Sequence, residues 1–199
     1  YLQGQNMKKT IITAALVVAM ASTVQAENYD NTGVSVAAES ATMGFKLSTD
    51  DTSRSVGVYT LGRSLDLGAV MADNGTNRDF SLSVGKTLDM PIGPVNGYVA
   101  GEVEYNWGDT YTKSEMHFTP TVGANVAMGS ITPFAELGYL LKSSEGDFTD
   151  INKVNPTATI GTSLDLSPST TLTAKLTNSL NTDWKSTDKE IGLGLTVKF

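Results

Sequence analysis

The chain of 199 residues has no cysteine and a single histidine, His117. Disulfide stapling, thiolate zinc sites, iron–sulfur clusters and cysteine nucleophiles are thereby excluded. Basic residues are also scarce, 14 against 21 acidic ones, for a net charge of −7. Nucleic-acid binding needs basic charge to displace counterions from phosphates, so an acidic balance of this size argues against it. No stretch approaches the ~20 consecutive apolar residues that a membrane helix requires. Helical periodicity is almost absent along the chain.

The first methionine is Met7, and Tyr1 to Asn6 before it read as extraneous or read-through sequence. From Met7 a Met-Lys-Lys start leads into the apolar run Ile11 to Ala21 and then Ser22-Thr-Val-Gln-Ala26. A positive start, a short apolar run and a small-residue site predict a secretory signal peptide over residues 7–26, cut after Ala26. Removing Lys8 and Lys9 leaves 12 basic and 21 acidic residues, a net charge of −9, in a mature part predicted to run over 27–199.

Two-residue alternation dominates that mature part. At the C-terminus Ile191, Leu193, Leu195, Val197 and Phe199 share one face, and Glu190, Gly192, Gly194, Thr196 and Lys198 share the other. Residues 171–180 repeat the pattern, with Leu172, Ala174, Leu176 and Leu180 opposite Thr171, Thr173, Lys175, Thr177 and Ser179. Between Val95 and Trp107, Val99, Val103, Tyr105 and Trp107 oppose Asn96, Glu102, Glu104 and Asn106. A soluble sandwich alternates too. Here, however, the polar face carries full charges, and the strand candidates run to about ten to fourteen residues, the length a tilted strand needs to cross hydrocarbon. The predicted fold is all-β: a closed antiparallel transmembrane barrel with an apolar outer wall and a polar lumen.

Ten strands are expected, at 34–48, 55–67, 69–74, 80–90, 95–107, 116–128, 131–143, 154–166, 170–182 and 188–199, with eight as the alternative if the first hairpin lies outside the wall. Short turns at Pro91–Pro94, Met128–Ser130 and Ser167–Ser169 alternate with five longer polar loops, as periplasmic and extracellular rims do. Leu61-Gly-Arg-Ser-Leu-Asp-Leu67, Val84-Gly-Lys-Thr-Leu-Asp-Met90 and Ile160-Gly-Thr-Ser-Leu-Asp-Leu166 form an internal repeat. Each copy reads as a strand descending to a turn, with Asp66, Asp89 and Asp165 facing inward near the rim. Pro120, Pro133 and Pro156 fall within strands and are placed near strand ends, where a lost ladder donor is tolerable. Arg63 and Lys86 take the outward parity near the periplasmic end, where either they snorkel or a local bulge flips the parity.

The Met7–Ala26 leader and the final Gly192-Leu-Gly-Leu-Thr-Val-Lys-Phe199 resemble the two ends of small bacterial outer-membrane barrels. The hairpin Thr121 to Tyr139 is similar to hairpins of the outer-membrane protein A-like and opacity-type families. The resemblance implies residence in a Gram-negative outer membrane. It also implies contact with outer-membrane lipids and lipopolysaccharide, and delivery to the barrel-assembly machinery through Phe199. These families hold structural barrels, adhesins and narrow pores, so location is implied more firmly than activity.

The expected lumen face carries Glu102, Glu104, His117, Glu136, Lys142, Lys175, Glu190 and Lys198. In a narrow barrel these pair across the lumen and plug it. The leading expectation is thus a structural or interaction protein, not an enzyme, with no cofactor or metal. The alternative is a narrow porin-like channel lined by the same groups. A third reading is a lipid hydrolase with a hydroxyl nucleophile, His117 as base and Glu136 as orienting group. The His117-x-Thr119 spacing is similar to that of an outer-membrane lipid A deacylase, but serine is missing and Pro120 follows. The loop acids Asp50, Asp51, Asp109, Glu145, Asp147, Asp150, Asp183 and Asp188 lack the spacing of a calcium loop. Phe80, Tyr105, Trp107, Phe118 and Tyr139 fit an aromatic girdle at the loop end.

Overall fold

The structure is a computed structural model that describes residues 31–61, 65–144, 153–181 and 183–199. The leader, Arg63, Glu145, Asp147 and Asp150 lie outside the described residues. Eleven strands form one closed barrel: β1 (Asn31–Glu39), β2 (Met43–Thr49), β3 (Arg54–Thr60), β4 (Asp66–Asp73), β5 (Arg78–Ile92), β6 (Val95–Gly108), β7 (Glu115–Asn125), β8 (Ile131–Ser144), β9 (Lys153–Ser167), β10 (Thr170–Leu180) and β11 (Ser186–Lys198). Neighbours in sequence pair antiparallel all the way round. The ring closes through a parallel pairing of β1 with β11, in register from Asn31↔Glu190 to Glu39↔Lys198. A parallel seam is what an odd strand number forces, because the first and last strands then run the same way.

The count of eleven corrects the expected ten, and the difference lies in the first stretch. Residues 34–48 are two strands, turned at Ser40–Thr42, where Ser40 Oγ donates to the Met43 carbonyl at 3.0 Å and the Ser40 N–H donates to the same carbonyl at 2.8 Å. No glycine or proline marks this turn. Its signal is a change of phase: the outward apolar residues are Val34, Val36 and Ala38 before it and Met43, Phe45 and Leu47 after it. The Leu61–Leu67 copy of the repeat is corrected as well. It straddles the β3–β4 turn, and Asp66 opens an ascending strand. Asp89 and Asp165 do sit on descending strands, bonded across the turn by Asn96 Nδ2 at 3.2 Å and Thr171 Oγ1 at 2.7 Å.

The remaining strands agree with the alternation. Leu82, Leu88, Met90, Val122, Ile160 and Leu166 point outward and stay exposed, whereas the buried residues among those described are few and, Val34 and Leu195 apart, small or polar. An exposed apolar belt around a polar interior inverts the arrangement of a soluble barrel. Phe80 stacks on Trp107 with ring centroids 5.7 Å apart, and Tyr105 lies 5.5 Å from Trp107, forming an outward aromatic cluster near the loop rim. Lys86 points outward at the height where β4 begins, since Asp66 pairs with Gly85. Pro133 and Pro156 lie near strand ends as expected. Pro120 does not: it is the sixth residue of β7, and the β7–β8 register is interrupted between Phe118↔Leu141 and Thr121↔Gly138.

Glycines on the inward face act as slots. The Tyr98 ring lies over Gly123, where an added Cβ would come within 2.4 Å of it. Tyr59 lies over Gly44 and Phe134 over Gly161 in the same way, at 2.2 and 2.4 Å. Large inward side chains therefore lie flat along the wall. Gly123→Ala is expected to destabilise the barrel by about 1–3 kcal/mol through overpacking, measured as urea unfolding in lipid vesicles. Gly101→Ala, whose Cβ would meet nothing nearer than 3.7 Å, is the control that should show little loss.

Candidate functional site

Inward-facing polar groups collect in three places on the wall. In the first, β6 and β7 bring Glu104 opposite His117 and Asn106 opposite Glu115 in register. His117 is buried, with Asn106 Nδ2 standing 3.1 Å from its Nδ1 and Glu115 Oε2 3.0 Å from its Nε2. Glu104 Oε2 lies 3.7 Å from Nδ1. Whichever tautomer the ring holds, both nitrogens are engaged, so no lone pair is left to deprotonate a hydroxyl.

In the second place, Tyr98 on β6 reaches past Gly123 and donates its hydroxyl to Glu136 on β8. Glu136 pairs with Gly123 and His117 with Lys142, a separation of six residues, or about 20 Å along the strands. The structure therefore does not assemble His117, Thr119 and Glu136 into a nucleophile–base–orienting set. A matching contact joins β3 to β1, where Tyr59 Oη donates to Glu39 Oε1 at 2.8 Å.

The third place is a cavity of about 570 Å³ along the β10, β11, β1, β2 and β3 sector. Its wall is mainly small and polar, including Ser35, Ser48, Ser55, Thr173 and Gly194, and Lys46, Lys175 and Glu190 enter it. The Lys175 chain lies over Gly192, and the Glu190 carboxylate passes Gly33. The cavity extends from Asp50 and Ser53 at the loop rim to Tyr59 and Thr196 toward the opposite end. A second space of about 360 Å³, lined by Ser83, Thr87, Glu102 and Thr121 among others, also touches Tyr59. The Tyr59 ring thus stands between the two.

At the loop rim the acids are consumed by local geometry. Asp50 accepts bonds from the Thr52 N–H and hydroxyl, both at 2.8 Å, and from the Ser53 N–H at 2.7 Å and hydroxyl at 2.9 Å. Burial pushes the Asp50 carboxyl up, but these bonds outweigh it and hold the group below the usual carboxylate range. Asp51 accepts from the Thr32 N–H at 3.1 Å, tying the β2–β3 loop to the start of β1. Asp109 accepts from the Arg78 N–H at 3.0 Å. No group of three or more His, Asp or Glu side chains able to hold a metal ion occurs among the described residues.

Of the residues expected in the lumen, the structure brings Glu104 to His117, and Lys175 and Glu190 to one cavity. Glu102 lines the second space, Lys142 is the register partner of His117, and Lys198 lies at the turn rim, its N–H bonded to the Ser169 carbonyl. Phe199 is exposed beyond β11, with its N–H bonded to the Glu39 carbonyl. Sequence reasoning missed Lys46, Glu39, Tyr59, Tyr98 and the role of Asn106. Lys46 was hidden by the phase change at Ser40–Thr42, which inverts the face it occupies. The tyrosines carried a signal in the inward glycines opposite them.

Together these features define a closed β-barrel with a polar lumen and an apolar outer wall. No family model matches the chain, and no curated protein resembles it. Among solved structures, LpxR from Salmonella typhimurium is similar with a TM-score of 0.47 and 12% identity, covering 75% of this chain and 80% of that one. The siderophore receptor PirA from Pseudomonas aeruginosa gives a TM-score of 0.31 and 12% identity, over 75% of this chain and 34% of that one. No activity is carried over from either.

Because His117 joins β6 to β7 through buried polar contacts, His117→Ala is expected to lower stability by about 1–3 kcal/mol, leaving Asn106 and two carboxylates short of a partner. Equilibrium urea unfolding of the refolded barrel measures it.

Proposed function

We propose that this protein is an integral barrel of a bacterial outer membrane whose lumen is a narrow polar conduit for small solutes or ions. The exposed apolar belt is a surface that water disfavours and lipid accepts. On this reading its partners are outer-membrane lipids and lipopolysaccharide around the belt, and the barrel-assembly machinery at the Phe199 end.

The observation that carries the conduit is the cavity of about 570 Å³ that follows the lumen wall from the loop rim to Tyr59. It favours the channel over the plugged lumen first expected. Strand number explains why. Strands about 4.8 Å apart and tilted about 40° make an eleven-stranded cylinder roughly 22 Å across at the backbone, against about 16 Å for eight. The large inward side chains then lie along the wall in glycine slots, and their contacts join neighbouring or next-but-one strands. Charges that bond along a wall leave the axis to water. The engagement of both His117 nitrogens argues against hydrolase chemistry.

Planar-bilayer recording of the refolded protein tests the proposal. Small, steady conductance steps are expected. A protein that migrates as a heat-modifiable folded barrel on gels yet stays silent in the bilayer would restore the plugged reading.

A further inference from the structure

The chain is acidic, yet the lumen cavity of about 570 Å³ is entered by two lysines. Lys46 comes from β2 and Lys175 from β10, and both line the same cavity. Two like charges share this space although both strands had polar, uncharged neighbours available in Ser48 and Thr173. One carboxylate, Glu190, reaches the same space from β11. The other acid on the cavity lining is Asp50 at its mouth, and its two oxygens already accept four hydrogen bonds from Thr52 and Ser53. The middle of the cavity therefore holds two ammonium groups to one carboxylate.

Glu39, at the turn end of β1, is taken up by the Tyr59 hydroxyl, and Glu136 on β8 by that of Tyr98. Along the closed strand order β2, β1, β11 and β10 are consecutive. The arc across the ring is β6 and β7, which carries Glu102, Glu104 and Glu115. The cavity sector, a lysine wall by two ammonium groups to one carboxylate, thus faces three carboxylates gathered beside His117 with Lys142 on the adjacent β8, and a field runs across the conduit between them. A solute crossing that field is held by its anionic end at the lysine wall.

Resting on the conduit reading, we infer that Lys46 and Lys175 form an anion-docking site inside the lumen, which selects small solutes bearing a carboxylate or phosphate group. The wall supplies what such a site needs besides charge. The Ser35 hydroxyl, one hydroxyl of the hydrogen-bonded Ser48–Ser55 pair, and that of Thr173 when Ser163 donates to it, can donate to an oxyanion. Glu190, on the same side, can receive a positive group of the solute, which favours amino-acid-like zwitterions over simple dianions.

Inorganic phosphate is the probe, at constant ionic strength, with two readouts on the full refolded protein. In the bilayer, phosphate should interrupt the current in a saturable way. In detergent, it should raise the unfolding temperature through linkage. The double substitution Lys46→Gln/Lys175→Gln should weaken both effects roughly tenfold or more, as expected when charged hydrogen-bond partners are lost. Lys198→Gln, at the turn rim outside the cavity, should leave both unchanged. Steady current with no phosphate effect on either readout would overturn the site and leave the conduit standing. A silent bilayer with a phosphate-dependent stabilisation that the double variant loses would do the reverse.

Discussion

Everything in this molecule depends on the pairing of β1 with β11. In hydrocarbon an unpaired backbone N–H or C=O costs several kcal/mol, so a sheet can reside there only if it has no edge. Nine register pairs, from Asn31↔Glu190 to Glu39↔Lys198, remove both edges at once. The seam is reinforced at its two ends. The Asp51 carboxylate holds the Thr32 N–H at one rim, and the Phe199 N–H bonds to the Glu39 carbonyl at the other. Val34 and Leu195, among the few buried apolar residues, lie on either side of this seam.

Closure at eleven strands also sets the chemistry inside. A ring of that circumference is too wide for its side chains to meet across the middle and too narrow for a broad channel. The sequence meets this geometry with glycines. Gly44, Gly123, Gly161 and Gly192 receive Tyr59, Tyr98, Phe134 and Lys175. Hydrogen bonds then run along the wall from Tyr98 to Glu136 and from Tyr59 to Glu39. The same slots that stiffen the wall keep the space beside Lys46, Lys175 and Glu190 unfilled.

Much of this was legible in the alternation. From residue 80 onward, each predicted strand coincides with an observed one to within three residues at either end. Long strands with charges on one face and leucines on the other leave little freedom of register. The first 70 residues were harder to read, because β1 to β4 are short and the β1–β2 and β2–β3 connections lack glycine and proline. The Ser40–Thr42 turn announces itself only by the shift of the apolar residues from even to odd numbers, and missing it cost both a strand and Lys46. Contacts inside the lumen were the least legible part. Alternation says which side chains face inward, but whether they reach across or lie along the wall depends on the ring's diameter and on the residue opposite. His117 illustrates this: its lone presence invited a catalytic reading, and its neighbours Asn106 and Glu115 show a structural tie.

Since the chain has no cysteine, introduced pairs report closure without background. Val36 is the register partner of Leu195 on one side and of Leu47 on the other. Val36→Cys with Leu195→Cys brings two thiols onto adjacent strands, within the span that a disulfide bridges. Leu47→Cys with Leu195→Cys sets them two strand spacings apart, about 9.6 Å, which it cannot bridge. Oxidation of each variant refolded in lipid should cross-link the first pair and leave the second reduced. Cross-linking of the second pair, with β2 lying directly against β11, would contradict the eleven-stranded closure on which this account stands.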